Sequence, residues 1–334
     1  MPSPRGDLLA RLRLPLMAAP MSIASTPELV AACSLAGIVG CFPTHNAWGD
    51  DGLPAWLDRI TATLDDAAQT TGVRPAPFAV NVSVQRAKPI ERLHRELDAC
   101  RRRRVQIITT NLGDPTPVVQ RAHDWGALVI HDVTTLAQAE RAAECGVDGL
   151  MVVCAGAGGL GGTLSPMAFV PRVRRFFDGI VQLAGGVCTG GGIRAALALG
   201  ADMACCGTRF IATRESGAVV GHKRMLAEAE PDEVLWTDRV CGVGGNFLRP
   251  SLASHGLDPD HLPPLDPRGR ATIPRDVKPW RMIWSGGHSV AGIRDIPTVA
   301  DLVDSLERQF RVAYDRDVHG MAVRAAPADK ESST

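Results

Sequence analysis

The chain lacks an excess of either charge: 36 lysines and arginines balance 36 aspartates and glutamates. That removes the basic field a nucleic acid needs and the acidic field a cationic partner needs, leaving a small molecule as the default ligand. It also lacks any apolar run near the roughly twenty residues of a membrane-spanning helix. No Cys-x-x-Cys spacing occurs among its nine cysteines (Cys33, Cys41, Cys100, Cys145, Cys154, Cys188, Cys205, Cys206, Cys241), most of which lie in apolar segments. This is the usage of buried thiols in a reducing compartment rather than of disulfides or zinc sites, so a cytoplasmic location is expected. No metal-ligand constellation is present. No Gly-x-Gly-x-x-Gly opens a helix after the first strand, which disfavours a dinucleotide-binding Rossmann fold. GGLGG at 158–162 comes after a sixth strand and has no matching acidic residue.

What is there is length and alternation. With 334 residues and 45% apolar content, the chain can bury one large core, with or without an excursion. Its N-terminus, RGDLLARLR followed by LPLMAAPM, has the outline of a charged region and a short signal-like apolar run, but the same run reads better as a first buried strand. Further strands are expected at 37–42, 77–82, 105–110, 127–131, 148–153, 179–184 and 202–206, after one at 15–19. Helices with Thr or Pro starts and Gly stops are expected at 26–36, 115–125, 135–146 and 189–200. Eight strands separated by crossover helices predict an α/β fold, a (β/α)8 TIM barrel. After residue 215 the rhythm breaks into Pro, Gly and Asp. The expected organisation is a barrel over 12–230, a small inserted region over its mouth at 231–290 after strand eight, a helix returning to the barrel over 291–323, and a disordered tail at 324–334.

In such a barrel the strand C-termini and the loops that follow them face the ligand. This selects Ala19, Pro20 and Met21, then His45, Asn81, Ser83, Asn111, His131 and Asp132, the 154–163 loop, Gly185 and Gly186, and Gly207 and Thr208. The segment CAGAGGLGGT is rich enough in glycine to suggest that backbone approaches a ligand there. LAGGVCTGGG at 183–192 and CGTRF at 206–210 offer backbone amides for a phosphate. Arg101 to Arg104 read as a solvent-facing helix end, and Cys205 and Cys206 as packing. Trp48, Trp56, Trp236, Trp280 and Trp284 read as loop or core residues, and Asp50 and Asp51 as loop carboxylates.

Over nearly its whole length the chain resembles the nitronate monooxygenases, FMN-dependent (β/α)8 barrels. The resemblance rests on PLMAAPM (15–21), FAVNV (78–82), VIHDVTTLAQA (129–139), CAGAGGLGGTLSP (154–166), LAGG (183–186), ALALGADMACCGTRFIATRES (196–216), NFLRPSL (246–252), GLDPD (256–260) and IWSGG (283–287). FMN-dependent enoyl-acyl carrier protein reductases share much of this set. The resemblance implies a flavoprotein oxidoreductase, a monooxygenase acting on a nitronate, a nitroalkane or another small organic substrate. Molecular oxygen or NAD(P)H would be its co-substrate, and a homodimer is among the assemblies it allows. The alternatives are an FMN-dependent NAD(P)H-linked reductase of C=C bonds and a flavin-binding protein without monooxygenase activity.

Carried over by position, Ala19, Pro20 and Met21 would line the flavin ring, with Asn81 hydrogen-bonded to it and His131 beside it. Gly158 and Gly159 would let the sixth loop approach the cofactor. Gly185, Gly186, Gly207 and Thr208 would hold the phosphate, and Ser285 and Gly286 would fold back toward the flavin. The chain departs from the family at Leu160, where related sequences commonly carry the histidine that serves as acid, base or electrostatic partner of the substrate. Leucine can do none of these. His131, His45 and His288 are the candidates to replace it, or the substrate needs no protein acid or base. His94, His123, His222, His261 and His319 read as surface helix or loop residues.

Overall fold

The computed structural model describes residues 4–47 and 52–320. Trp48, Asp50, Asp51 and the 324–334 tail lie outside the described residues. Eight parallel strands close into a barrel in the order β1 (Leu16–Ala18), β2 (Val39–Pro43), β3 (Phe78–Ser83), β4 (Ile107–Asn111), β5 (Leu128–Val133), β6 (Gly149–Val153), β8 (Ile180–Ala184) and β9 (Met203–Cys206). All eight expected strands form, each within two residues of its expected ends. The LPLMAAPM run contains β1.

Seven helices alternate with these strands: Pro27–Leu35, Gly52–Thr71, Ile90–Arg102, Thr116–His123, Leu136–Glu144, Pro166–Arg174 and Gly190–Ala198. The eighth position in the ring is taken by Val299–Gly320, which packs between Gly190–Ala198 and Pro27–Leu35. Gly190 makes that docking possible, because a Cβ there would overlap the Phe310 amide and the Leu306 carbonyl. Its N–H donates to Gln309 Oε1 at 2.9 Å. The expected Thr starts are true caps: Thr26 accepts from Leu29 N, Thr189 from Gly192 N, and Thr135 forms a reciprocal capping box with Gln138, each cap worth ~1 kcal/mol. At the opposite end, Gly146 turns with φ +80° into Asp148, whose carboxylate accepts from Val129 N at 2.7 Å. Asp202 repeats the device on Val181 N at 2.9 Å, so these carboxylates stitch neighbouring strands.

Side chains alternate along a strand, and in this barrel the two sides form two separate cores. Leu16, Phe42, Val80, Ile108, Val129, Leu150, Val181 and Ala204 face the helices. Met17, Val39, Cys41, Ala79, Ile107, Ile130, Met151, Val153, Ile180, Ala184, Met203 and Cys205 fill the lumen, with Leu8 from the N-terminal helix Pro4–Leu9 packed among them. Each fully buried large aliphatic side chain contributes on the order of 1.5–3 kcal/mol. The nine cysteines are free thiols, six of them buried.

Between β9 and the returning helix the chain makes its excursion. Its centre is an antiparallel sheet ordered β10 (Val234–Thr237), β11 (Gly245–Leu248) and β7 (Gly159–Leu160). β7 belongs to the glycine-rich loop after β6, so the excursion holds that loop as an edge strand, pairing Leu160 with Gly245 and Gly159 with Asn246. No helix among the described residues is long and apolar enough to cross a membrane.

Candidate functional site

Extending the lumen alternation toward the strand C-termini gives a change of chemistry. Below, the lumen is aliphatic and thiol-lined. At its mouth it presents Asn81 on β3, Thr109 and Asn111 on β4, Asp132 on β5 and Gln182 on β8, each two or four residues along its strand from a lumen side chain. Asn81 donates to Thr109 Oγ1 at 3.1 Å. The Oδ1 atoms of Asn111 and Asp132 and the Oε1 atom of Gln182 are buried with no hydrogen-bond partner. Leaving a buried acceptor unpaired costs about 1–3 kcal/mol, so three together mark a place that expects donors from a ligand. Burial pushes the Asp132 carboxyl up to about 7.

His131 lies one residue off this alternation and on the helix side. Its Nδ1 is hydrogen-bonded to Thr110 Oγ1 at 2.7 Å, and burial pushes its pKa down to about 4. The expectation that His131 faces cofactor or substrate therefore passes to its neighbour Asp132. Gln182 escaped the sequence reading, which looked past strand ends only; its signal was a lone amide inside IVQLA.

Beyond the crown, two turns carry free amides. Gly185 (φ +133°) and Gly186 (φ +70°) follow β8, and Gly207 and Thr208 follow β9. The amides of Gly185, Gly186 and Thr208 donate to no acceptor among the described residues, while those of Gly190 and Gly192 in the next helix are already taken by Gln309 and Thr189. A Cβ on Gly186 would meet nothing within 4 Å. The segment after β1 lies alongside: Gly207 sits 3.6 Å (from its would-be Cβ) from Ala19 and 3.7 Å from Met21 Sδ. Buried Asn46 fixes that segment by donating to Met21 O and Ser25 O, both at 2.9 Å, and accepting from Ile23 N at 3.0 Å. Pro20, between Ala19 and Met21, is half-buried there. No sequence signal pointed to Asn46.

The glycine-rich loop behaves differently from its expectation. A Cβ on Gly158 would lie 2.8 Å from Thr208 Oγ1 and 2.9 Å from Gly287 N, one on Gly162 would overlap the Val153 carbonyl, and one on Gly287 would overlap the Gly156 carbonyl and come 2.5 Å from Gly158 N. Gly287 N donates to Thr208 Oγ1 at 3.0 Å and His288 N to Gly156 O at 2.9 Å. On its side-chain side Gly158 thus makes room for Thr208 and the 286–287 backbone, and Gly286 makes room for the side chains of Leu226 and Leu248. Gly159 (φ +73°) is open, with only Trp280 at 3.9 Å.

The histidines spread around this assembly. His45 is bonded to Ser22 Oγ at 2.8 Å, and partial desolvation of its ring, followed by Arg92, lowers its pKa. His288 is exposed with its ring against Gly156. His222, read from sequence as a surface residue, is instead buried, stacked on Trp284 at 5.3 Å and bonded to Ser285 O at 2.9 Å. It anchors the WSGG turn because the excursion folds over its helix, Val220–Glu228, which the sequence pattern does not reveal.

FMN carries a flat ring with N–H and carbonyl groups at one end and a phosphate at the other, and the residues present fit it. The crown offers unpaired acceptors and the Asn81 amide for the ring edge. The Gly185, Gly186 and Thr208 amides offer the electropositive turns that a phosphate takes.

A family model described as nitronate monooxygenase matches residues 7–252. The nitronate monooxygenase of Paraburkholderia phytofirmans is 26% identical over 354 residues, covering 90% of this chain and 93% of the relative. The putative monooxygenase Rv1533 of Mycobacterium tuberculosis is 30% identical over 211 residues, 61% of this chain; that match spans 55% of the relative's own length. The solved structure of nitroalkane oxidase from Streptomyces ansochromogenes superposes with a TM-score of 0.74 at 25% identity, covering 93% of this chain and 99% of that one.

Proposed function

The chain belongs to the nitronate monooxygenase family of FMN-dependent oxidoreductases, and from that premise we propose that it oxidises a small nitronate or nitroalkane at the barrel mouth. One observation carries the reading: a crown of unpaired acceptors opens beside two amide-bearing turns, at the end of the barrel where β/α enzymes bind ligands. FMN, when bound, supplies the electron acceptor. Asn81 and Gln182 orient the ring edge, and the Gly185, Gly186 and Thr208 amides hold the phosphate, with Gly207 keeping the turn after β9 close to the Ala19–Met21 segment. Leu160, half-buried on the edge strand β7, gives the mouth an apolar wall that excludes water and carries no proton.

Anaerobic mixing of the FMN-loaded protein, followed in the visible spectrum, tests this reading. Bleaching of the flavin band by ethyl nitronate, followed by its return on admitting molecular oxygen, is the expected result. Bleaching by NAD(P)H alone would transfer the chain to the reductases, and failure to retain FMN after its addition would remove the flavoenzyme reading.

A further inference from the structure

Walking the lumen side of all eight strands from bottom to mouth meets one side chain able to exchange charge near neutral pH. Below Asp132 the lumen holds aliphatic, thioether and thiol side chains, and toward the mouth stand Asn81, Ser83, Thr109, Asn111 and Gln182. In register, Asp132 lies beside Met151, Met151 beside Gln182, and Gln182 beside Met203, so the carboxyl's own row holds a thioether and an amide. The titratable groups that feel Asp132 are the thiols of Cys41 and Cys205, whose burial raises their pKa and keeps them protonated. No lysine or arginine contributes to its titration; burial is the cause.

We infer that Asp132 is the general base of the barrel mouth, taking the Cα proton of a neutral nitroalkane so that the enzyme accepts nitroalkanes as well as preformed nitronates. The inference rests on the flavoenzyme reading above. In the step, the C–H bond breaks, an O–H bond forms on Asp132, and the C–H electron pair moves into the nitro group to give the nitronate. No electron is gained or lost overall. Three features suit Asp132 to the task. Its Oδ1 has no partner to displace, it stands at the ligand end of its strand, and its pKa of about 7 lies where a base works best at neutral pH. Of the candidate histidines, His131 lies on the helix side bonded to Thr110 and His45 is bonded to Ser22, while His288 is exposed with its ring against the Gly156 backbone.

The test uses the FMN-loaded protein, wild type and the variants Asp132→Asn and Asp132→Glu, with ethyl nitronate and neutral nitroethane as probes. Asp132→Asn is expected to lower kcat/KM for nitroethane about 100-fold, the scale of a positioned base, and kcat/KM for ethyl nitronate far less, so that the nitroethane-to-nitronate ratio falls at least about tenfold; Asp132→Glu restores part of that ratio. Independently of turnover, the visible flavin band of the wild type is expected to shift between pH 5 and 9 as the carboxyl ionises, and that of Asp132→Asn to stay fixed. Nitronate bleaching by each variant certifies that it is folded and loaded. If nitroethane and nitronate fall together, or neither falls, or the wild-type band does not move with pH, the assignment to Asp132 is overturned while nitronate bleaching keeps the flavoenzyme reading. If nitronate bleaches none of the proteins, both are overturned.

Discussion

Two glycine-rich parts of the barrel mouth look alike in sequence and differ in what occupies the missing side-chain space. In 156–162 and its counterpart 286–287, protein fills it everywhere but at Gly159: Gly158 and Gly287 lie against each other's backbone, and Gly162 against Val153. In the turn after β8, Gly186 is open on its Cβ side and its amide is free. Glycine alone is thus no sign of a ligand. The first group cements three loops into a rigid rim, and the second leaves the space in which a phosphate can sit.

The largest expected effect tests the filled side. Gly287→Ala pushes a methyl group into the Gly156 carbonyl, backbone that cannot rotate away, and overpacking of this kind costs about 3 kcal/mol. Denaturant unfolding should show that loss, with flavin content falling because the rim and the Thr208 turn separate. A loss below about 1 kcal/mol would mean that the rim yields, and the distinction between filled and open glycines would lose its force.

The unpaired crown belongs to the open side, and Asp132 gives it a pH signature. Its folded pKa, about 7, lies above the ordinary carboxyl value, so the folded state holds the proton more tightly than the unfolded one. The stabilisation is full below pH 4 and is lost as the pH rises through 7. Because the side chain is partly open to solvent, about 2 kcal/mol is the discounted size. Flavin-free wild type should lose this much between pH 4 and 8 in chemical denaturation, and Asp132→Asn should flatten the difference. An unchanged slope in the variant would assign the pH dependence to other groups.

Gly186→Ala probes the open side with a smaller stability effect. The left-handed φ of +70° costs an alanine about 1 kcal/mol, and nothing nearby clashes. FMN affinity, read by quenching of free-flavin fluorescence, should drop at least about tenfold, equivalent to roughly 1.4 kcal/mol, because the new methyl points into the phosphate space. Equal affinity would show that the phosphate does not approach this turn.

How much of this was legible in the sequence depends on the range of the interaction. Strands and caps are local, so β-branched runs and Thr starts located all eight strands and several helices. The helices Gly52–Thr71 and Ile90–Arg102 carry their apolar stripe in long polar stretches and are less visible, although the first closes on a glycine stop at Gly72, φ +70°. The lumen side of β5 was not readable, because both His131 and Asp132 stand near the strand end and only the register with Thr110 and Met151 decides between them. The protein neighbours on the side-chain side of Gly158 and Gly286 lie far away in sequence and are not visible in it. Asn46, Gln182 and His222 acquire their meaning from segments brought together by the closed barrel and its excursion.

Leu160 sits where the two sides meet, and its replacement is the gentlest test of the comparison. It is half-buried at the edge of β10–β11–β7 and paired through backbone with Gly245, so Leu160→His should change stability by no more than about 0.5–1 kcal/mol. The informative measurement is made in the Asp132→Asn background. If the position 160 side chain faces the reacting space beside open Gly159, an imidazole there supplies the missing base, and nitroethane turnover recovers about tenfold with a new pH midpoint near 6.5. If turnover stays at the Asp132→Asn level while the protein still binds FMN, the side chain belongs with the filled rim. The apolar residue at 160 would then be a wall, and the proton chemistry of this barrel would belong to its fifth strand.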